Sequence, residues 1–383
     1  MSFAALALIA LVALLGPLVA VPRAWNLPIV LGELAAGVVL GRTGFAILHA
    51  ADPTFTFLAD IGFALVMFIA GSHVPVRDAS LRKALPAGVL RAAGVGVVAT
   101  GLAVGLSRAF GTGHAPLYAV LMASSSAALI LPIVDSLRLG GRPVVRLLPQ
   151  IAVADTACIV ALPLVIDPAK AGHAALGALA MIVAGVILFV VFRAVEKNGL
   201  RRRLHRLSEA REFALELRIS LIVLFALAAL AVAGGVSIML AGFTIGLVVA
   251  AVGEPRRLAK QLFALAEGFL APLFFVWLGA SLNLRELGAR PSFILLGLAL
   301  GVGAAIAHVV MVVTRQPASL GLLAGAQLGV PVAAATIGSQ LHVLAAGEAS
   351  AMMLGAIVAI ALAVAGGSVA VRAGLLAPAQ AGG

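Results

Sequence analysis

The sequence is poor in the residues on which disulfide-bonded and soluble proteins depend. It has a single cysteine, Cys158, among 383 residues, which excludes an internal disulfide and a metal cluster held by cysteines. Charged residues make up 11% of the chain, whereas a soluble domain carries about 25%. No hydrophilic stretch is long enough to form a soluble domain. We therefore expect one membrane domain over residues 1–383, without a soluble regulatory domain.

The chain is instead dominated by apolar sequence, with 63% hydrophobic residues and a mean hydropathy of +1.18. The first apolar run, residues 3–20, has no basic residue before it, so we expect a retained helix and not a signal peptide. A helix needs roughly 20 apolar residues to cross a bilayer, and counting such runs predicts about thirteen transmembrane helices. They lie at residues 3–20, 27–46, 55–74, 86–107, 115–137, 145–166, 172–195, 214–233, 236–253, 262–281, 291–314, 317–343 and 348–371.

The basic residues test this count. A net charge of +11 would indicate a nucleic-acid partner in a soluble protein, but here the basic residues lie in short loops between apolar runs. Loops after odd-numbered helices carry 20 Lys and Arg residues, and loops after even-numbered helices carry 5. Because cytoplasmic loops are enriched in basic residues, the N-terminus is predicted outside and the C-terminus in the cytoplasm. We expect a multi-pass protein of the bacterial inner membrane, surrounded by lipids, with no nucleic-acid partner.

Two pairs of segments resemble each other at nearly the same spacing. Residues 28–37 resemble residues 237–246, an offset of 209, and residues 65–71 resemble residues 273–279, an offset of 208. An offset of seven helices reverses the direction of the chain across the membrane. The pattern predicts an inverted repeat, a common transporter architecture. Residues 1–166 and 214–372 (helices 1–6 and 8–13) form the two copies, and the helix over residues 172–195 joins them.

Two of the predicted helices contain residues that interrupt a helix near mid-membrane. Helix 5 has three consecutive serines, Ser124, Ser125 and Ser126, followed by Pro132, and helix 12 has a Gly-rich run that ends at Pro331. Backbone groups freed at such interruptions are tolerated only where they line a protein-enclosed or wet cavity. The serines have a second interpretation, in which they bond to preceding carbonyls or pack between helices.

Asp155 lies close to the midpoint of the apolar segment 145–166. A carboxylate there costs about 2.5–3.5 kcal/mol to insert, and no Lys or Arg lies one helical turn away, at positions 151, 152, 158 or 159. An intramembrane Asp is by default a functional-site hypothesis. The alternative is a structural hydrogen bond to a neighbouring helix.

These segments resemble the cation:proton antiporter superfamily, most closely the sodium/proton exchanger domain of the NapA and Kef type. The resemblance rests on residues 27–41, on residues 58–71, on the Phe-rich run 272–282, and on the order of the serine cluster and the Asp155 segment. It covers nearly the whole chain. It implies the NhaA/NapA-like fold, in which interrupted helices 5 and 12 cross at the ion site. It also implies a homodimer, whose core (helices 4–6 and 11–13) moves against a dimerisation panel (helices 1–3 and 8–10).

The chain departs from the family pattern at three places. The position before the essential Asp, polar in the family, is Ala154. Helix 11 lacks the Lys of electrogenic members, and its one ionisable residue is His308. The Gly-Glu often found in the helix 12 interruption is replaced by Gly329, Val330 and Pro331.

A single carboxylate binds either a proton or a monovalent cation, and this competition is sufficient for exchange if the site opens alternately to the two sides. We expect a secondary active transporter that exchanges Na⁺, or alternatively K⁺, for protons at Asp155. With one carboxylate and no paired Lys, the simplest exchange is one for one and electroneutral. No cofactor is expected. Oxygen ligands suit such cations, and the predicted ion site is Asp155, Thr156, Ser125 and Ser126, with Ser124, Gln327, His308 and Glu33 as helpers.

Two other functions stay open from the sequence. A sodium-coupled symporter of an organic anion shares this fold and needs no titrating Asp. A non-transporting sensor descended from an antiporter would accommodate the departures at Ala154, His308 and residues 329–331. An intramembrane aspartyl protease requires two mid-membrane Asp residues, and only Asp155 qualifies, so we do not expect an enzyme.

Overall fold

The computed structural model describes residues 1–20, 29–72, 76–77, 79–198, 215–253 and 256–376. Over these residues the protein is helical, and its one β-bridge joins Leu139 and Leu376. The helices are α1 (Phe3–Ala13), α2 (Leu15–Ala20), α3 (Ile29–Leu40), α4 (Pro53–Ser72), α5 (Ala79–Phe110), α6 (Ala115–Ala123), α7 (Ala127–Ser136), α8 (Gly141–Ile166), α9 (Ala171–Lys197), α10 (Leu215–Ala233), α11 (Ile238–Val252), α12 (Arg256–Leu265), α13 (Ala271–Ser281), α14 (Leu284–Ala289), α15 (Pro291–Val309), α16 (Ala318–Ala324), α17 (Gly329–Gln340) and α18 (Glu348–Arg372).

Three short helical segments of other geometry continue these helices. A 3₁₀ turn, Pro168–Lys170, leads into α9, and a second, Val310–Thr314, extends α15. A π turn, Ala266–Leu270, joins α12 to α13. Among the described residues, eight helical stretches are long and apolar enough to cross a membrane, and three shorter ones are apolar. The prediction of an all-helical membrane protein is confirmed, and the count of thirteen spanning helices stays a prediction.

Two details differ from the sequence-based prediction. The helix predicted over residues 27–46 ends at Leu40, because the chain turns back there. The N–H of Phe45 donates to the carbonyl of Val39 at 2.8 Å, and Ala46 has a positive φ of 54°. The predicted start of that helix, residues 27–28, lies outside the described residues. The short helix α14, which the apolar pattern did not predict, lies between α13 and α15.

The helices divide into two compact units. The first unit contains α1–α4 and α9–α13, and the second contains α5–α8 and α14–α18. This grouping matches the panel and the core that the family resemblance implies, with the connecting helix α9 placed in the first unit. The relative motion of the two groups and the dimer stay predictions.

Glycines bring two helix pairs of the first unit into close contact. Gly37 of α3 lies against Gly279 of α13, so that a β-carbon on Gly37 would overlap the carbonyl oxygen of Val276. Gly71 of α4 lies in the same way against Gly246 of α11. Small residues let backbones approach in this manner in membrane bundles. Gly37 aligns with Gly246 in the first pair of similar segments, and Gly71 aligns with Gly279 in the second pair. The contact between α3 and α13 and the contact between α4 and α11 therefore occur at equivalent positions of the similar segments.

The second unit has α15 packed on α18, and α5 packed on both α6 and α8. Two of its helical paths are interrupted. The first path stops at Ala123 and resumes at Ala127, and the second stops at Ala324 and resumes at Gly329. Both interruptions fall within the runs where the sequence predicted them. We call residues 124–126 the first break and residues 325–328 the second break.

Candidate functional site

The first break begins where α6 gives way to extended backbone. Ser124 has φ −72° and ψ 148°, so its peptide leaves the helical path, although its N–H still donates to the carbonyl of Leu121. Helix α7 starts three residues later at Ala127, and the N–H groups of its first turn have no partner within the helix. The break therefore presents a helix N-terminus, with its partial positive charge, inside the second unit.

The side chain of Asp155 forms a hydrogen bond with this helix N-terminus. It lies in the middle of α8, its side chain is 7% exposed, and its Oδ2 accepts the N–H of Ala127 at 3.0 Å. An acidic group at a helix N-terminus gains about 0.3–1 kcal/mol, and up to about 2 kcal/mol when partly buried. The N–H partly replaces the water that the carboxylate loses, and no Lys or Arg forms an ion pair with Asp155 among the described residues.

Ser125 joins the first break to the second and to α15. Its Oγ lies 2.7 Å from the carbonyl oxygen of Ala324, the last residue of α16, and 3.2 Å from Nε2 of His308. His308 is fully buried, and its Nδ1 lies 2.9 Å from the carbonyl of Ala304. Since a carbonyl only accepts, Nδ1 carries a proton, and in the neutral ring Nε2 is then an acceptor. The one hydroxyl proton of Ser125 is thus shared between two acceptors.

Ser124 makes a similar connection to Gln327 in the second break. Its hydroxyl lies 2.9 Å from the carbonyl of Leu121 and also contacts Oε1 of Gln327. Ser124, like Ser125, has one hydroxyl proton for two acceptors, unless Gln327 takes the opposite amide orientation, in which its NH₂ donates to Ser124. Either way, Gln327 is 2% exposed and its side chain is tied to the first break.

The backbones of the two breaks also bond directly. The N–H of Ser126 donates to the carbonyl of Ala326 at 2.8 Å. The first break thus contributes N–H groups and hydroxyls, and the second contributes carbonyl oxygens and an amide. The two breaks therefore contain oxygen atoms of the kind that bind hard monovalent cations, and the first break is joined to the carboxylate of Asp155 through the N–H of Ala127. No group of three or more His, Cys, Asp or Glu residues suited to a metal ion occurs in the described part of the chain.

The other predicted site residues lie as follows. Thr156 is half-buried on α8, and its hydroxyl donates to the carbonyl of Ala152 at 2.8 Å, on its own helix. Ser126 is 6% exposed. Glu33 is 4% exposed on α3 and belongs to the first unit. Ala154 is buried beside Asp155 and supplies no polar side chain.

The structure also shows buried polar residues that are not among the predicted site residues. Gln150 lies on α8, five positions before Asp155, and is fully buried; neither polar atom of its amide has a partner. Arg91 of α5 donates to the hydroxyl and carbonyl of Thr314, at 2.8 and 3.1 Å. Glu348 is fully buried at the start of α18. Gln150 could have been found as an intramembrane amide, but the partners of the other two depend on contacts between distant segments.

A helical bundle that shows eight membrane-length apolar helices in its described residues, with a carboxylate buried against a helix interruption, defines a multi-pass integral membrane protein. The chain belongs to the transmembrane sodium/hydrogen exchanger family, whose family model matches residues 9–372.

Individual relatives agree with this family. The chain is 24% identical over 381 residues to the "Putative Na(+)/H(+) antiporter YjbQ" of Bacillus subtilis, covering 94% of this chain and 61% of that protein. It is 26% identical over 278 residues to the "Probable Na(+)/H(+) antiporter 3" of Methanocaldococcus jannaschii, covering 69% of this chain and 68% of that protein. The chain thus spans less than two thirds of the Bacillus relative.

Solved structures share the fold. The sodium proton antiporter MjNhaP1 from Methanocaldococcus jannaschii at pH 8 superposes with a TM-score of 0.67 at 18% identity, covering 97% of this chain and 98% of that one. A three-dimensional electron-microscopy map of MjNhaP1 superposes with a TM-score of 0.69, also at 18% identity, over 98% of this chain and 97% of that one. At this identity the likeness shows a shared fold.

Proposed function

We propose that this protein exchanges a monovalent cation for protons across the membrane by alternating access, with Asp155 as the shared binding site. The observation that carries the proposal is the hydrogen bond from the Ala127 N–H, at the first break, to the buried carboxylate of Asp155. The antiporter names of the two sequence relatives support the same activity.

The competition between cation and proton follows from the charge of the site. A buried carboxylate without a basic partner needs a positive charge, and a proton or a cation supplies it equally well in net charge. The helix N-terminus at Ala127 stabilises the ionised form enough for the proton to leave. Binding one therefore releases the other, as exchange requires.

We expect the exchange to be electroneutral. The chain lacks two groups of the family pattern: Ala154 stands where the family has a polar residue, and α15 carries His308 but no Lys. His308 is held between Ala304 and Ser125. With Asp155 as the only group that changes partner, one proton moves for each cation.

The cation ligands that we propose are oxygen atoms close to Asp155 in the chain and at the two breaks. Ser125 and Ser126 belong to the first break, Thr156 follows Asp155, and Gln327 belongs to the second break. Ser124 and His308 hold these groups in place, and Glu33 of the first unit serves the ion pathway. We favour Na⁺ over K⁺ because the names of both sequence relatives give Na⁺ as the exchanged cation.

The orientation and assembly of the protein are part of the same proposal. The 20-to-5 distribution of basic residues supports an N-terminus outside and a C-terminus inside the bacterial inner membrane. We propose a homodimer formed through the first unit. Its helix α9 exposes a row of apolar side chains suited to lipid or to a second copy: Leu176, Leu179, Ile182, Val183, Val186, Ile187 and Val190.

The test is proton flux in proteoliposomes that hold a pH gradient. Adding Na⁺, K⁺ or Li⁺ to the wild type is expected to dissipate the gradient, and Asp155→Asn is expected to reduce this flux at least about 100-fold, because an amide neither binds nor releases the proton. Cys158→Ala is the matched control, since Cys158 is buried on α8 one turn from Asp155. A membrane potential is expected to leave the rate unchanged.

The remaining outcomes decide between the alternatives. A wild-type protein that does not respond to any cation contradicts the exchange, and favours the organic-anion symporter or the sensor. Cation-dependent flux that survives in Asp155→Asn contradicts the assignment of Asp155. A flux that follows the membrane potential contradicts one-for-one exchange.

A further inference from the structure

An arginine of the second unit lies buried without an acidic partner. Arg91 of α5 is 7% exposed, and its Nε and Nη2 donate to the hydroxyl and the carbonyl of Thr314, at 2.8 and 3.1 Å. No carboxylate forms an ion pair with Arg91 among the described residues. A buried charge is costly unless an opposite charge lies close to it. Arg91 therefore needs a negative partner, which its contacts within the protein supply only in part.

The contact with Thr314 supplies that part. Thr314 is the last residue of the 3₁₀ turn that continues α15, and the end of a helix carries roughly half a negative elementary charge on its free carbonyls. Arg146 of α8 acts in the opposite direction, because it lies close enough for its positive charge to repel that of Arg91. Two guanidinium groups thus share one partial negative charge, and the pair keeps a net positive charge.

The packing of α5 on α8 holds the two arginines in this arrangement. A β-carbon on Gly88 of α5 would lie 2.6 Å from the β-carbon of Pro149 on α8, so the two helices touch closely. Arg91 follows Gly88 by three positions and Arg146 precedes Pro149 by three, so each lies about one helical turn from this contact. Helix α5 also packs on the 3₁₀ turn that ends at Thr314. The packing of three segments therefore fixes the positive pair.

The segments that hold the pair contain no acid that neutralises it. Helices α5, α15 and α16 and the 3₁₀ turn have no Asp or Glu in their sequences. The one acid of α8 is Asp155, which lies nine positions beyond Arg146, about 13 Å along the helix, and is bonded at the first break. The charge is therefore left for an anion that these segments do not contain.

A buried amide follows the same turn. Gln316 lies two residues beyond Thr314 and is 2% exposed, and neither polar atom of its side chain has a hydrogen-bond partner among the described residues. A buried amide without a partner is costly. Its NH₂ group is a donor that suits an oxyanion, as are the two guanidinium groups. The three side chains together offer positive charge and hydrogen-bond donors, which is the combination that an oxyanion needs.

We propose that Arg91, Arg146 and Gln316 form a binding site for a phosphate group, which we call the Arg91 site. Arginine suits a phosphate because its planar guanidinium donates two parallel hydrogen bonds to the phosphate oxygens. The phosphate belongs either to the headgroup of an anionic lipid or to a free ion, and the exposed Arg146 is open to both. Under the proposed orientation the site lies on the cytoplasmic side, where basic pockets between helices bind anionic headgroups. The proposal does not rest on the proposed exchange.

The test is thermal unfolding of the delipidated protein in a neutral detergent. A molecule that binds only the folded protein raises the midpoint of unfolding, and the rise grows with its concentration according to its affinity. Phosphatidylglycerol and inorganic phosphate are titrated separately, with phosphatidylcholine as the zwitterionic control and with the cations held constant. We expect phosphatidylglycerol or inorganic phosphate to raise the midpoint, and phosphatidylcholine to leave it unchanged.

Variants connect this rise to the Arg91 site. Arg91→Gln is expected to weaken the apparent affinity at least about 10-fold, and Arg146→Gln about threefold, because each loses a charge-assisted hydrogen bond. Arg91→Lys keeps the charge but not the paired hydrogen bonds, so an intermediate affinity is expected. Arg108→Gln is the matched control, because Arg108 is exposed near the other end of α5. The midpoint of each variant without ligand is its own reference, so the loss of the Thr314 bonds does not enter the comparison.

The outcomes identify the source of the phosphate or overturn the site. A rise with phosphatidylglycerol alone supports a lipid headgroup, and a rise with inorganic phosphate supports a free ion. No rise with either, or an equal rise with phosphatidylcholine, overturns the proposal, as does equal weakening by Arg91→Gln and Arg108→Gln. If Arg91→Gln does not fold, Arg146→Gln takes its place, because Arg146 is exposed. None of these outcomes depends on cation-driven proton flux, so the site and the exchange fail separately.

Discussion

The two breaks of the second unit differ in what they offer to an ion. The first break supplies donors: the N–H groups of Ser126 and Ala127 and the hydroxyls of Ser124 and Ser125. The second break and the end of α16 supply acceptors, the carbonyls of Ala326 and Ala324, and the amide of Gln327 contacts Ser124. The first break thus holds the carboxylate of Asp155, and the second break accepts hydrogen bonds from the first.

This difference explains why Asp155 depends more on the first break than on the second. An N–H aimed at a carboxylate favours the ionised form, whereas a carbonyl would oppose it. The carbonyls of Ala324 and Ala326 accept hydrogen bonds from Ser125 and Ser126, so their contribution is to position the first break. Substitutions that remove a donor at the first break should therefore affect exchange more than substitutions at the second break.

The largest effect in this comparison is expected from Ala127→Pro. Proline is tolerated at the first position of a helix, so the fold of α7 is retained, but the N–H that Asp155 accepts is lost. A hydrogen bond to a charged group contributes about 1.5–3 kcal/mol, so the maximal exchange rate is expected to fall about 10-fold to 100-fold as Asp155 releases its proton less readily. Ala127→Ser keeps the N–H and is the matched control. An unchanged rate in Ala127→Pro would contradict the donor role of the first break.

A smaller effect is expected from substituting Ser125 and Ser126, and the two substitutions distinguish a structural role from a role as a cation ligand. Ser125→Ala leaves the carbonyl of Ala324 and Nε2 of His308 without the hydroxyl, which is expected to lower the free energy of unfolding by about 1–3 kcal/mol. Thermal unfolding in detergent measures this loss.

Ser126→Ala is compared with Ser125→Ala, because the hydrogen bond of Ser126 between the breaks uses its backbone N–H and not its hydroxyl. We expect a change in stability within about 0.5 kcal/mol, but a half-saturating cation concentration roughly threefold higher if the hydroxyl is a ligand. Equal destabilisation by Ser125→Ala and Ser126→Ala would contradict the division of roles.

The smallest effect is expected at Gln150. Neither polar atom of its amide has a partner, so replacing it by the similarly shaped Met is expected to leave stability unchanged or to raise it by about 1 kcal/mol. If the amide lines the approach to Asp155, the half-saturating cation concentration rises about threefold. Stability falling by more than about 2 kcal/mol would show that the amide is bonded within the protein.

Much of this site was predictable from the sequence. A lone carboxylate in an apolar helix is costly, so the sequence singled out Asp155, and the structure places its side chain against the first break, whereas its role as the ion site stays a proposal. Serine, glycine and proline weaken a helix wherever they cluster, and they located both breaks. The glycine-containing segments that matched at offsets of 208 and 209 proved to be the close-contact surfaces of α3, α13, α4 and α11.

What the sequence did not predict are pairings between distant segments. His114 and Glu348 are separated by 234 positions, and Arg91 and Thr314 by 223, so no local pattern links them. Glu348 is the first residue of the predicted helix 348–371, and its contacts with His114 and Tyr118 cannot be read from that position. The end of α3 at Leu40 depends on the returning backbone of Phe45, a contact that apolar periodicity does not encode.

The most direct test of the central claim is proton release on cation binding by the purified protein in weakly buffered detergent. Adding Na⁺ to the wild type is expected to release close to one proton for each cation bound, and Asp155→Asn is expected to bind weakly and release none. Proton release of the same size from Asp155→Asn would contradict the account, because the exchanged proton would then come from another group.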